Sequence, residues 1–223
     1  FVGCTSLTSI NLESGNPYLS VKNGMLYDKD QTYLIASPGG KTSLTIAETT
    51  LKIGEEACSQ CVKITSLSIP KGVLYIDRNA FWGCSKLATI NFTMPDRDSF
   101  GSYVCMNIWR GAFGNCPAIR SVYLRTTVPP SIKEDTFDSS VYSNATLYVP
   151  EGTKTGGYDS IDGWKLFKTI KELPGSGVDE FISDSNASAS VEYFNLQGVR
   201  VTEPTKGIYI RRQGSKIEKV IVK

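Results

Sequence analysis

One phrase recurs along this chain and restricts its fold more than any other property. It reads Phe, two residues, Cys, two residues, Leu or Ile, two residues, Ile or Val, one residue, and a final apolar side chain. It occurs as Phe1-Cys4-Leu7-Ile10-Leu12, and as Cys58-Cys61-Ile64-Leu67-Ile69 with cysteine in the phenylalanine slot. It returns as Phe81-Cys84-Leu87-Ile90-Phe92 and Phe113-Cys116-Ile119-Val122-Leu124. A worn copy at Phe137-Leu147-Val149 is one residue longer and lacks the cysteine. Cys61 and Cys84 lie 23 residues apart, and the match extends upstream, with Ile46, Ile53 and Ala57 mapping onto Ile69, Ile76 and Ala80.

A period of roughly 20–29 residues is one turn of a solenoid. A single coil cannot bury its own apolar residues, so each coil stacks on the same residues of the next. The x-Ile-x-Leu ending is a strand whose side chains alternate in and out, and successive strands pair in parallel about 4.7–4.9 Å apart. Each Leu, Ile or Phe buried in this way contributes about 1.5–3 kcal/mol, so the array is stable only as a stack.

The segments Ala80-Phe81-Trp82-Gly83-Cys84-Ser85-Lys86-Leu87-Ala88-Thr89-Ile90 and Ile69-Pro70-Lys71-Gly72-Val73-Leu74-Tyr75-Ile76-Asp77 resemble the BspA-type leucine-rich repeat. The stretch from Asn16-Pro17-Tyr18 through Asn23-Gly24-Met25-Leu26-Tyr27-Asp28 to Leu34-Ile35 resembles a variant coil of that family, and Asn23-Gly24 within it signals a hairpin turn. The resemblance covers roughly residues 1–173. It implies a β-rich, right-handed leucine-rich-repeat solenoid. It also implies a surface or secreted protein of Bacteroides-type bacteria, with adhesin-like binding of host or neighbouring-cell proteins or glycans. An architectural spacer or envelope component with no soluble ligand is the alternative.

Two departures from the period stand out. Cys84 and Cys116 are 32 residues apart, which places an insertion around residues 96–107. It is read as a tolerated solenoid loop, with a binding loop as the functional alternative. The other departure is Cys58, read as a small buried residue. Cys4, Cys61, Cys84 and Cys116 share one slot and form a ladder of buried free thiols, since side chains pointing the same way do not present the facing Cβ vectors a disulfide needs. Cys105 has no repeat slot.

Towards the C-terminus, Trp164, Phe167 and Ile170 recur at helical spacing behind Asp162, a candidate N-cap. They predict a short helix capping the last coil of a 1–173 solenoid, because an open end exposes apolar surface. Residues 174–190 are rich in Gly, Ser, Asn and Asp and read as a linker, with a possible strand at Val178 to Ile182. Residues 191–223 form a small β module from Val191–Leu196, Gly207–Arg211 and Lys216–Val222, with turns at Gln197-Gly198 and Gln213-Gly214. The pattern Tyr193-Phe194-Asn195-Leu196-Gln197-Gly198 with Lys206-Gly207-Ile208-Tyr209 resembles C-terminal modules of secreted proteins from the same bacteria, and the end of their sorting domains. The tail is basic, and a solvated strand face is the preferred reading of that charge.

The chain contains no histidine, which excludes Ser-His-Asp and Cys-His nucleophile systems and mixed Cys/His zinc sites. Neither a carboxylate dyad nor a phosphate-binding loop emerges. Gly40-Lys41-Thr42 imitates the end of a P-loop, but Ile35 stands where that motif needs glycine. No enzymatic activity, cofactor or metal is expected. A net charge of +2, without a dense basic stripe, does not point to nucleic acid. No apolar run is long enough to span a bilayer as a helix. Beginning at Phe1, partway through a copy, the chain reads as a fragment or a mature form.

A binding role therefore falls to the outward positions of the stacked strands. By alternation these are Asn11, Ser68, Asn91, Tyr123 and Tyr148, with Arg120 and Arg125 beside them. The expected partner is a protein or glycan, because tyrosine is enriched at protein interfaces and can also stack on a sugar.

Overall fold

The computed structural model describes residues 1–93 and 105–174, and four backbone strands within 191–222. The chain divides into two compact units, Phe1–Gly175 and Ser176–Lys223. In chain order the first unit has β1 (Leu19–Lys22), β2 (Met25–Asp28), β3 (Tyr33–Ala36), β4 (Lys52–Ile53), β5 (Ser66–Ile69) and β6 (Tyr75–Ile76). It continues with β7 (Thr89–Phe92), β8 (Asn107–Ile108), β9 (Ser121–Leu124), helix α1 (Ser139–Asn144), β10 (Thr146–Pro150) and β11 (Thr169–Leu173).

These strands form two sheets. One runs β1-β2-β3-β4-β6-β8, and the other β11-β10-β9-β7-β5. The second is parallel throughout and carries the phrase found in the sequence. Ser66 pairs with Thr89, Thr89 with Ser121, Ser121 with Thr146, and Thr146 with Thr169. The coil lengths between these partners are thus 23, 32, 25 and 23 residues, yet the rows stay aligned. The long coil arises between β7 and β8, and most of the insertion expected at 96–107 lies outside the described residues. β7 pairs with β9 directly across it.

The core is a set of columns. Leu67, Ile90, Val122 and Leu147 are buried in one, and Ile69, Phe92, Leu124 and Val149 in another. Phe81, Phe113 and Phe137 form a third, with ring centroids 5.3 and 5.1 Å apart and nearly parallel planes. Each inward side chain rests on its counterpart one coil away, as the parallel register requires. Cys58 is buried one coil before Phe81, its N–H donating to the Ala80 carbonyl at 2.8 Å.

Two corners in each of three successive coils have left-handed backbone. Glu56, Asn79 and Gly111 occupy the first in successive coils, with φ of 55, 55 and 64°. Gln60, Gly83 and Asn115 occupy the second, with φ of 57, 74 and 53°. Glycine and asparagine suit such positions, whereas Glu56 and Gln60 adopt them at a steric cost. At the N-terminal side, Asn23 and Gly24 also have positive φ and close the β1–β2 hairpin, as their sequence predicts.

The cap differs from the sequence expectation. Trp164, Phe167 and Ile170 do not share a helix. Trp164–Leu166 is one 3-10 turn with Gly163 at its N-cap, and the Asp162 carboxylate accepts from Lys165 Nζ at 2.6 Å instead of capping. Ile170 lies in β11, which extends the parallel sheet beyond β10. The end is closed by buried aromatics. Trp164 Nε1 donates to the Pro130 carbonyl at 2.7 Å, Tyr158 Oη to the Thr126 carbonyl at 2.8 Å, and Phe167 packs edge-on against Phe137. A spacing of three residues fits a 3-10 turn running into a strand as well as it fits a helix.

The first copy also departs from expectation. Cys4 and Phe1 are exposed, not buried, because no coil of the described chain lies over them. Cys61, Cys84 and Cys116 are buried free thiols, as is Cys58, and Cys105 is exposed. Burial raises the Cys58 thiol, and contact with the Cys116 and Cys61 sulfurs together with burial raises that of Cys84. In the second unit, β12 (Val191–Phe194), β13 (Arg200–Val201), β14 (Gly207–Gln213) and β15 (Lys216–Val222) form an antiparallel sheet in the order β13-β12-β14-β15. The possible strand at Val178 to Ile182 falls outside the described residues. No described helix is long and apolar enough to cross a membrane.

Candidate functional site

Alternation on the parallel sheet leaves two outward rows. The first consists of short hydroxyls: Ser66, Thr89, Ser121, Thr146 and Thr169. The second contains Ser68, Asn91, Tyr123, Tyr148 and Lys171. Four of the residues singled out in the sequence, Ser68, Asn91, Tyr123 and Tyr148, therefore stand side by side in one line.

The tyrosines are the chief feature of that line. Their rings stack at 4.5 Å between centroids with planes 7° apart. Each ring is half-buried, with one face against the other ring. In register, Asn91 is the strand neighbour of Tyr123 and Lys171 that of Tyr148. Each ring therefore has one face closed to a stacking sugar. Asn91 Oδ1 is buried and has no hydrogen-bond partner among the described residues. A buried acceptor left in that state costs about 1–3 kcal/mol until a donor reaches it.

The remaining candidates lie elsewhere. Asn11 is exposed but belongs to no strand, and residues 43–46, which would link it to β5, are not a strand either. It borders a shallow groove with Asn16 and Lys29. Arg120 and Arg125 flank β9 at either end. The Arg120 guanidinium folds back to donate to the carbonyls of Pro117 and Ile119, both at 2.8 Å, and so is held by its own loop.

Sequence reasoning missed three features. The hydroxyl row follows from the same alternation read two residues earlier. Lys171 enters the face only because β11 is a strand and not part of a helix. The other sheet has its own outward row of Tyr33, Lys52, Tyr75 and Asn107. There Lys52 Nζ lies 5.6 Å from the Tyr33 ring centroid and 2.8 Å from Asp77 Oδ2. The Asp77 hydrogen bond raises the Lys52 ammonium pKa, against a smaller opposing effect of burial. Nearby, slight burial would raise the Asp28 carboxyl, but hydrogen bonds from the Tyr33 N–H and from the Thr32 hydroxyl and N–H together hold it below its ordinary range. Among the described residues no group of three or more Cys, Asp or Glu side chains is arranged to hold a metal ion.

A family model for the BspA type leucine-rich repeat region matches residues 40–157 in six copies. Among solved structures, the chain is similar to a leucine-rich cell surface protein from Faecalibacterium prausnitzii, with 19% identity over 79% of this chain and 44% of that one, TM-score 0.49. It is also similar to the pneumococcal vaccine antigen PcpA, with 17% identity over 76% of this chain and 51% of that one, TM-score 0.43. A leucine-rich repeat protein from Bacteroides ovatus matches at 20% identity over 71% of this chain and 33% of that one, TM-score 0.31. The chain thus spans about half the length, or less, of these structures. Comparison with curated proteins finds no match. The family model covers more than half of the chain, and the coils seen in the structure carry its repeat: the chain belongs to the BspA type leucine-rich repeat family.

Proposed function

We propose that the chain is a binding module of a bacterial cell surface or secreted protein, and that it recognises a protein partner through the outward face of β5, β7, β9, β10 and β11. The observation that carries this reading is the Tyr123–Tyr148 stack, flanked in register by Asn91 and Lys171. Stacking pre-organises two large amphipathic side chains, so little rotamer freedom is lost when a partner packs against them. The hydroxyl row supplies further donors and acceptors without bulk. Because each tyrosine covers one face of the other, the pair offers less open ring face to a sugar than two separate rings would, which favours a protein partner.

The test is binding of the purified chain to immobilised extracellular-matrix and mucosal proteins, repeated at two salt concentrations. A saturable hit is expected, weakened at least tenfold by the Tyr123→Ala/Tyr148→Ala double substitution while the fold is retained; two interface anchors losing more than about 1 kcal/mol each would account for that. Unchanged affinity of the double variant would remove these tyrosines from the site. An absence of any protein partner would favour an architectural role for the array.

A further inference from the structure

A groove of about 430 Å³ opens on the side of the array that belongs to neither sheet. The coil register explains why it is there. Asn79 N–H donates to the Arg110 carbonyl and Gly111 N–H to the Asp135 carbonyl, so Asn79, Gly111 and Asp135 form a column. The Gly83 N–H bond to Gly114 and the Phe113–Phe137 bridge align Trp82, Gly114 and Asp138 in the next. Each column reads side chain, glycine, side chain. The result is a trough two coil steps across, about 9.4–9.8 Å at parallel spacing.

Both glycines matter to its shape. A methyl group at Gly111 would overlap Asn79 Oδ1, and one at Gly114 would come within 2.9 Å of Trp82 Cδ1. Trp82 therefore leans over Gly114, with 38% of its surface exposed, and forms an aromatic wall. The polar lining is mixed. Arg110 Nε donates to Asp135 Oδ2 at 2.8 Å, an exposed pair. Among the described residues the Arg78 guanidinium has no such acceptor, and the Asp138 carboxylate makes no capping bond to α1.

We propose that this groove binds one carboxylate-bearing sugar residue of a glycan, of the hexuronic or sialic acid type. The sugar carboxylate takes the planar fork of Arg78, the geometry in which arginine binds carboxylates best. The C–H face of the ring packs on Trp82, which supplies apolar area at one edge of the trough. The sugar hydroxyls donate to Asp138 and to the outer oxygen of Asp135. An acidic peptide fits less well, because a flexible Asp or Glu side chain carries no rigid C–H face to pack on Trp82 beside its carboxylate. A neutral sugar leaves Arg78 without an anion. The groove shares no residue with the sheet that carries the tyrosine row, so this site and the protein-binding face succeed or fail separately.

The experiment measures binding of the full chain to oligogalacturonides and to sialic-acid-terminated oligosaccharides, each beside the same molecule with its carboxyl reduced to an alcohol. Saturable binding to at least one acidic probe is expected. It should weaken tenfold or more on carboxyl reduction, in Arg78→Ala and in Trp82→Ala, and should persist unchanged in the Tyr123→Ala/Tyr148→Ala variant. Arg78→Lys, which keeps the charge but loses the fork, should fall between wild type and alanine. The proposal is overturned by a lack of binding to every acidic probe, by equal binding of the reduced sugars, or by equal binding of a polyglutamate peptide. Full binding by both Arg78→Ala and Trp82→Ala would also overturn it.

Discussion

Tyr123 and Tyr148 stack at 4.5 Å because the β9–β10 register sets them directly opposite one another on the outward face. Such a pair contributes about 0.5–1.5 kcal/mol beyond the area it buries. A double-mutant cycle with Tyr123→Ala and Tyr148→Ala, followed by urea unfolding, should return a coupling energy in that range. Strict additivity of the two single losses would mean that the rings do not support one another.

The left-handed corners predict an asymmetry between substitutions. Gly83 has a φ of 74°, and a Cβ there would lie 3.3 Å from Gln60 Cγ. Gly83→Ala should destabilise the array by about 1–2 kcal/mol. Glu56 occupies the other corner at φ 55° with its side chain exposed. Glu56→Gly should therefore be close to neutral or slightly stabilising, since relief of strain offsets the added freedom of the unfolded chain. Thermal unfolding of the two variants checks the sign of each change.

Thiol chemistry distinguishes the cysteines. Cys4 and Cys105 are exposed, while Cys58, Cys61, Cys84 and Cys116 are buried, with the Cys58 and Cys84 thiols held protonated. A chromogenic disulfide reagent should titrate two thiols rapidly in the native protein and all six in denaturant. Rapid reaction of four or more native thiols would contradict the buried ladder.

Alkaline pH should loosen the array. Burial pushes the Tyr27 and Tyr142 hydroxyls from 10.0 up to about 12. A pKa raised on folding favours the folded state fully below the unfolded value. That contribution fades as pH rises through the folded value, so the loss falls between pH 10 and 12. Urea midpoints measured across this window should drop, and Tyr142→Phe should flatten the decline. A midpoint independent of pH up to 12 would show that these hydroxyls ionise freely in the folded chain.

The sequence displayed whatever the stacking period imposes. Leu67, Ile90, Val122 and Leu147 recur because each must rest on the next, and strict alternation then locates Ser68, Asn91, Tyr123 and Tyr148. Asn11 has the same neighbours in sequence but lacks a paired strand, and no local pattern reports a missing partner. The Tyr33–Lys52–Tyr75 row escaped notice because β4 and β6 are two residues long, too short to show a period. The groove at Gly111 and Gly114 was hidden for another reason. It depends on which residues lie opposite each other across a 32-residue coil, and that alignment is a property of the ladder.

The uneven coil between β7 and β9 also bears on how the array assembles. Asn91 and Tyr123 are neighbours in space at a separation of 32 residues, where β5 and β7 need only 23. Loop-closure entropy grows with the logarithm of length, so the longer excursion makes docking that coil harder by only about 0.3 kcal/mol. Folding can therefore propagate past it almost as readily as past any other coil, and the chain can vary the length of that excursion with little effect on the order or speed in which its coils assemble.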